Sequence, residues 1–223
     1  MLTLAFDTSS DTLAVALLRD ETVTAELVLA MGRHHGETLI PSIELLLTSV
    51  NLTFDDVELM VLTIGPGSFT GLRIGVSTAK GFIMARDIPA VCVSTFEALA
   101  WNVPASRQDL CTMIDARQGK VYAAVYGCDE RDARELHMPG KIDTPAGILA
   151  DMKETTLFIG SGARTYADLI VETLGKKARI LPPCYDHPRA GSIGLIGLKK
   201  FREGDTVDAL KMVPDYLRVS YAG

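Results

Sequence analysis

The chain has 223 residues, 48% of them hydrophobic and 22% charged, which excludes a disordered or low-complexity chain and is enough for one large core or two small ones. Its 28 acidic against 22 basic residues give a net charge of −6, which argues against a protein that grips nucleic acid unaided. The longest apolar runs, residues 13–18 and 57–64, fall well short of the ~20 residues a membrane span needs. No basic stretch precedes the first apolar run and no small-residue cleavage site follows it, so a cytoplasmic location is expected.

Residues 2–6 and 12–18 read as two β-strands joined by the turn formers Asp7-Thr8-Ser9-Ser10-Asp11, a hairpin with an aspartate at its mouth. From 36 to 50 the residues Leu39, Ile40, Ile43, Leu46, Leu47 and Val50 recur at helical spacing, with Pro41 near the helix start or at a kink. A strand over 57–64 then leads through Gly65-Pro66-Gly67-Ser68-Phe69-Thr70 into a helix from about 71 to 86. Asp87-Ile88-Pro89 ends that helix, and 90–93 is the next strand.

This order of elements repeats. A shift of 108 residues lays Asp115 on Asp7, with apolar strands on both sides matching. A shift of 95 lays Leu157-Phe158-Ile159-Gly160-Ser161-Gly162 on Leu62-Thr63-Ile64-Gly65-Pro66-Gly67, and a helical stretch over 165–174 follows. Two such units in the same order indicate a duplicated α/β domain with a cleft between the copies. The boundary is placed near 101–109, giving a first lobe over 1–105, a degenerate second lobe over 106–205, and a C-terminal segment, 206–223, that packs back on the first lobe.

Two features invite a chemical reading. Gly65-Pro66-Gly67 feeds a helix whose first amides face anions, yet it is neither G-x-x-x-x-G-K-[ST] nor G-x-G-x-x-G. Gly65 and Gly67 also suit a plain tight turn, and Gly71 and Gly75 suit the close approach of another helix. Asp7, with Thr8 and Ser9, and Asp115, with Gly160 and Gly162, are the candidates for holding magnesium and a nucleotide. The turns after the two aspartates contain only Gly119, so each carboxylate capping its own turn is the stronger reading. Cys92, Cys111, Cys128 and Cys184 form no C-x-x-C pair and read as reduced structural thiols. His34, His35, His137 and His187 lack metal-ligand spacing, there is no G-x-S-x-G elbow, and Lys176, Lys177, Arg179 and Lys199, Lys200, Arg202 read as solvated faces.

The run from Gly65 to Gly75, followed by Ala79-Lys80-Gly81, resembles the TsaB (YeaZ) family of bacterial tRNA threonylcarbamoyladenosine biosynthesis proteins. Phe6-Asp7-Thr8-Ser9, residues 35–41 with Ile43-Glu44-Leu45-Leu46, and Pro214-Asp215-Tyr216-Leu217-Arg218 extend the resemblance, which is strongest over 1–100. It implies a duplicated actin-like fold of the acetate and sugar kinase, heat-shock and actin type, with two lobes of mixed sheets flanked by helices. In the catalytic relative TsaD a comparable segment leads to a metal-holding H-x-x-x-H pair, and carrying that pattern over lands on Thr95 and Leu99, neither of which can replace an imidazole.

The resemblance therefore implies a pseudo-enzyme that serves TsaD, with the small ATPase TsaE. The complex moves a threonylcarbamoyl group from its adenylate to the N6 amine of the anticodon-adjacent adenosine in tRNAs reading codons that begin with A. It further implies a TsaD heterodimer, a homodimer of the isolated chain, only indirect contact with tRNA and no required cofactor. ATP or ADP with magnesium at the inter-lobe cleft or the partner interface stays open. The implied partner interface comprises His35, Leu39, Ile43, Leu46, Gly65, Pro66, Gly67, Phe69, Thr70, Gly71, Arg73, Gly75 and Lys80. The alternative is an ATP-binding phosphotransferase or metallohydrolase of the same fold acting through Asp7 and Asp115.

Overall fold

Residues 1–30, 32, 34–129 and 134–217 are described by a computed structural model of the chain. The first hairpin pairs β1 (Leu2–Asp7) with β2 (Thr12–Arg19), antiparallel, with Phe6 opposite Val15 and Asp7 opposite Ala14. Then follow β3 (Thr22–Ala30), α1 (His35–Ser49), β4 (Leu59–Gly65), α2 (Phe69–Arg86), β5 (Ala90–Ser94) and α3 (Thr95–Ala100). The sheet order is β3-β2-β1-β4-β5, antiparallel through the hairpins and parallel from β1 to β4 and β5.

Alternation along the central strands decides what covers each face. Leu2, Leu4, Phe6, Leu13, Val15 and Leu17 point to one side and meet Leu39, Ile43, Leu46 and Leu47 of α1 and Val76, Ala79 and Ile83 of α2. The intervening positions are smaller, Ala5, Ala14 and Ala16 beside Leu18 and Val61. With both faces buried, β1 and β2 read as continuous apolar runs rather than as polar-apolar alternation.

The second unit repeats the plan. It contains β6 (Asp109–Arg117), β7 (Lys120–Cys128), β8 (Arg134–Asp143), α4 (Pro145–Leu149), β9 (Thr156–Ile159), α5 (Ser161–Thr165), α6 (Ala167–Leu174) and β10 (Ala178–Ile180). Its order, β10-β9-β6-β7-β8, is that of the first sheet element for element, with the same antiparallel and parallel pairings. The second copy is the reduced one. A 5-residue α4 stands where the first has the 15-residue α1, and the counterpart of the 18-residue α2 is broken into α5 and α6. Its helix-side core joins Met113, Val121, Ala123 and Val125 to Ile148, Leu149, Phe158 and Ile170.

The expected lobe boundaries are corrected. The last helix, α7 (Ala190–Arg202), belongs to the first unit, which comprises Met1–Ala98 and Pro188–Asp215, while the second holds Leu99–His187 and, among the described residues, Tyr216 and Leu217, so the C-terminal segment returns to the first unit only as far as Asp215. The physical reason is the small-residue face of the first sheet. Ile193, Ile196 and Leu198 pack on it, and glycines let α7 come close: a Cβ on Gly194 would lie 2.3 Å from Leu18 Cδ1, and one on Gly197 2.4 Å from both Val61 methyls. Beyond α7, Val207 N–H donates to Ala90 O, Met212 is buried in the helix-side core of the first unit, and Asp215 N–H donates to Ile64 O.

Candidate functional site

The glycine-rich segment and the aspartate hairpin meet in the first unit. Gly65 ends β4 with φ +130°, and a Cβ there would sit 2.4 Å from Asp215 O, so this residue has to be glycine. Ser68 N–H donates to Ser9 O at 2.7 Å, and Ser68 Oγ caps α2 by accepting from Gly71 N–H at 3.2 Å. Thr8 and Ser9 then lie along the glycine face of α2. A Cβ on Gly67 would be 2.2 Å from Ser9 O, on Gly71 2.0 Å from Thr8 O, and on Gly75 2.4 Å from Thr8 Oγ1. The Thr8 hydroxyl donates to Gly71 O at 2.8 Å, which ties hairpin and helix together.

Asp7 is fully buried beneath this contact. Its Oδ1 accepts from the Thr63 hydroxyl and, at 3.2 Å, from Ser9 N–H, so it caps its own turn. Burial raises its pKa, and the hydrogen bonds from Ser9 and Thr63 and the nearby His35 only partly oppose that. His35 Nε2 donates to Ser10 O at 2.6 Å. Among the described residues Asp7 Oδ2, Ser9 Oγ and His35 Nδ1 have no hydrogen-bond partner.

These residues do not fit a magnesium–nucleotide cradle. Such a cradle needs free turn amides and a solvated carboxylate. Here Ser9 N–H is held by Asp7, Thr12 N–H by Ser10 Oγ and Ser68 N–H by Ser9 O, while Asp7 is buried under the turn.

In the second unit Asp115 likewise caps its turn, Oδ1 accepting from Arg117 N–H at 2.8 Å. Its backbone N–H donates to Ser161 Oγ at 3.1 Å, which joins β6 to α5. Gly160 has φ +99°, matching Gly65, its counterpart in the 95-residue repeat, and Cβ atoms on Gly160 and Gly162 would strike Met113 O at 2.4 Å and Met113 Cγ at 2.8 Å. Gly160 N–H donates to Asp186 Oδ1 at 2.8 Å, and Arg164 Nε bonds Asp186 Oδ2.

The expected partner surface is redrawn. His35, Leu39, Ile43, Leu46, Gly65, Pro66, Gly71 and Gly75 are buried inside the first unit, because the apolar stripe of α1 covers its own sheet and the glycine face of α2 is filled by Thr8 and Ser9. Gly67 and Lys80 are half-buried, Lys80 Nζ reaching Leu210 O at 3.5 Å. Phe69, Thr70 and Arg73 are exposed, with the Arg73 guanidinium 3.7 Å above the Phe69 ring.

Residues absent from the sequence-based set are exposed as well: Ile40 (44%), Leu45 (60%) and Met84 (67%). Their signal was available as helical phase, since Ile40 and Leu45 fall off the buried 39-43-46-47 stripe. Thr63, Arg164 and Asp186 carry no motif and could not be found that way.

Thr95 and Leu99 are both buried, and Glu97 pairs with Lys200 at 3.4 Å. Lys177 and Arg202 bond Lys153 O and Glu21, so the basic clusters are partly spent on internal contacts. Burial pushes the Cys92 thiol up to about 11 and also raises that of Cys111, as fits inert thiols. Among the described residues no three His, Cys, Asp or Glu side chains converge to hold a metal, and no helix is long and apolar enough to cross a membrane.

Comparison with known proteins places this architecture. Residues 28–222 match the family model described as TsaD, tRNA N6-adenosine threonylcarbamoyltransferase. The tRNA threonylcarbamoyladenosine biosynthesis protein TsaB of Bacillus subtilis is 34% identical over 225 residues, covering 100% of this chain and 96% of that one. The crystal structure of YeaZ from Pseudomonas aeruginosa superposes with a TM-score of 0.83 at 25% identity, over 97% of this chain and 99% of that one. The ethanolamine utilization protein EutJ from Carboxydothermus hydrogenoformans shares the fold at a TM-score of 0.52 and 12% identity, over 88% of this chain and 90% of that one. The two repeated five-stranded mixed sheets are the duplicated actin-like fold that the sequence resemblance implied. On these grounds the chain belongs to the TsaB family of tRNA threonylcarbamoyladenosine biosynthesis proteins.

Proposed function

We propose that, within threonylcarbamoyladenosine biosynthesis, this chain is a non-catalytic subunit that docks on a TsaD-type enzyme through the outer faces of α1 and α2. The observation that carries the reading is the pair Thr95 and Leu99 at the positions where the resemblance places metal-binding histidines: a buried hydroxyl and a buried isobutyl group offer no imidazole. The closed state of the Asp7 hairpin supports it, because a carboxylate sealed under a helix cannot order phosphates. Asp7 and Asp115 each spend Oδ1 on the backbone of their own turn, which disfavours the phosphotransferase or hydrolase alternative.

The docking face is read from exposure. Ile40 and Leu45 on α1, and Phe69, Arg73 and Met84 on α2, are exposed apolar or aromatic side chains and one arginine, residue types that interfaces favour, set among solvated residues such as Glu37 and Glu44. The same face serves a homodimer of the isolated chain. TsaE joins the assembled pair, and tRNA is held by the partner, in keeping with the net charge of −6.

The test is isothermal titration of the chain into a TsaD-type protein that carries H-x-x-x-H. Leu45→Glu with Met84→Glu should leave the melting curve of the chain in place and weaken binding at least tenfold. Unchanged affinity would remove the assignment of this face.

A further inference from the structure

We propose that the strand-to-helix turn of the second unit is a receptor for a carboxylate-class anion, and that the chain fills it itself with Asp186. Three segments meet at this side chain, two of them bonding its oxygens. From the end of β9, Gly160 N–H donates to Oδ1 at 2.8 Å; from α5, Arg164 Nε bonds Oδ2 and its Nη2 lies 3.5 Å from Oδ1; the segment after β10 supplies the carboxylate. Arg164 Nη2 is itself steered by Leu181 O. Asp186 is 6% exposed, and a guanidinium fork and a backbone amide meet its two oxygens together.

The turn is built for this role. Gly160 holds φ +99° with Met113 O where a side chain would go, a backbone open only to glycine, and its amide is aimed at the carboxylate. The first unit closes the equivalent turn without charge: Asp215 N–H donates to Ile64 O, and Asp215 O packs against the bare Cα of Gly65. The two halves of the repeat therefore share the glycine and differ in what closes the turn. In the second, Gly160 and Arg164 are already occupied, so no anionic group of a nucleotide or other ligand gains that amide unless Asp186 leaves.

Chemical rescue tests this directly. In the full chain, Asp186→Gly removes the carboxylate and leaves the Gly160 amide and the Arg164 fork in place. The variant should melt several degrees below the parent, and sodium formate in the tens of millimolar should recover most of the loss, against sodium chloride at equal ionic strength. Formate should do nothing for the parent or for Asp186→Gly combined with Arg164→Met. Recovery no greater than chloride gives, or equal recovery without Arg164, overturns the proposal. Should Asp186→Gly fail to fold, Asp186→Asn keeps an acceptor for Gly160 but sets an amide donor against the guanidinium. Adding Arg164→Gln should then raise its melting point, whereas simple addition of the two losses overturns the proposal.

Discussion

Replacing Gly71 by alanine puts a methyl group 2.0 Å from Thr8 O and 3.2 Å from His35 Cδ2. A carbon and a carbonyl oxygen need well over an ångström more than that, and the oxygen belongs to a backbone fixed between β1 and the turn, so α2 has to move away from the hairpin. Overpacking of this kind costs about 1–3 kcal/mol, here toward the upper end because the neighbour is main chain. Losing the 2.8 Å bond from the Thr8 hydroxyl to Gly71 O adds about 1 kcal/mol. Helix propensity returns about 1 kcal/mol. The net expectation is a loss of about 3 kcal/mol, read as a lower urea midpoint.

Gly81→Ala is the internal control. It lies on the same helix with nothing within 4 Å of the added Cβ, so it should gain up to about 1 kcal/mol. If Gly71→Ala matched Gly81→Ala, the close contact between α2 and the hairpin would be wrong, and with it the argument that these glycines serve the fold rather than a partner.

Gly197→Ala presses a methyl against both Val61 methyls at 2.4 Å and should cost about 1–3 kcal/mol; adding Val61→Ala should recover part of that, so the double variant loses less than the sum of the singles in urea melts. Asp7→Asn should change the pH dependence of stability. Because burial raises the folded pKa of Asp7 above its ordinary 3.8, the group's favourable contribution is complete below that value and is lost as pH rises through the folded pKa. The variant should therefore gain on the parent as pH rises from the acid side toward neutral, and a gap that stays flat or shrinks in paired urea melts would contradict an ionisable, buried Asp7. Leu45→Glu with Met84→Glu, both exposed positions, should shift the urea midpoint by no more than about 0.5 kcal/mol while weakening the partner complex.

The central strands, α1, α2 and the repeat were legible because each leaves a local mark. Runs of apolar residues bounded by turn formers fixed β1, β2 and β4, and the 95-residue shift paired Gly65 with Gly160, both of which hold positive φ. What escaped was non-local. β3 is an edge strand whose half-exposed residues show no clean alternation, and α7 carries glycines at 191, 194 and 197 that lower its helical signal yet are what bring it onto the first sheet. Pro41 sits inside α1, in its second turn, where its missing N–H falls on the exposed side.

The site divided in the same way. That Asp7 and Asp115 cap their own turns follows from aspartate beside a turn, and it was readable. That Gly67, Gly71 and Gly75 embrace Thr8 and Ser9 was not, because a small-residue stripe looks the same whether the neighbour is a second helix of a partner or a hairpin of its own chain. Asp186 and Arg164 sit 22 residues apart with no motif to link them.

The central claim is that this chain enables transfer without performing it. Reconstitution measures this most directly: threonylcarbamoyl-AMP and unmodified tRNA are combined with this chain, with a TsaD-type protein and TsaE, or with all three, and adenosine modification is quantified. The account predicts no product from the chain alone, full activity from the three together, and loss of activity when Leu45→Glu with Met84→Glu replaces the parent chain. Product formed by the chain alone, or undiminished product from TsaD and TsaE without it, would contradict the account.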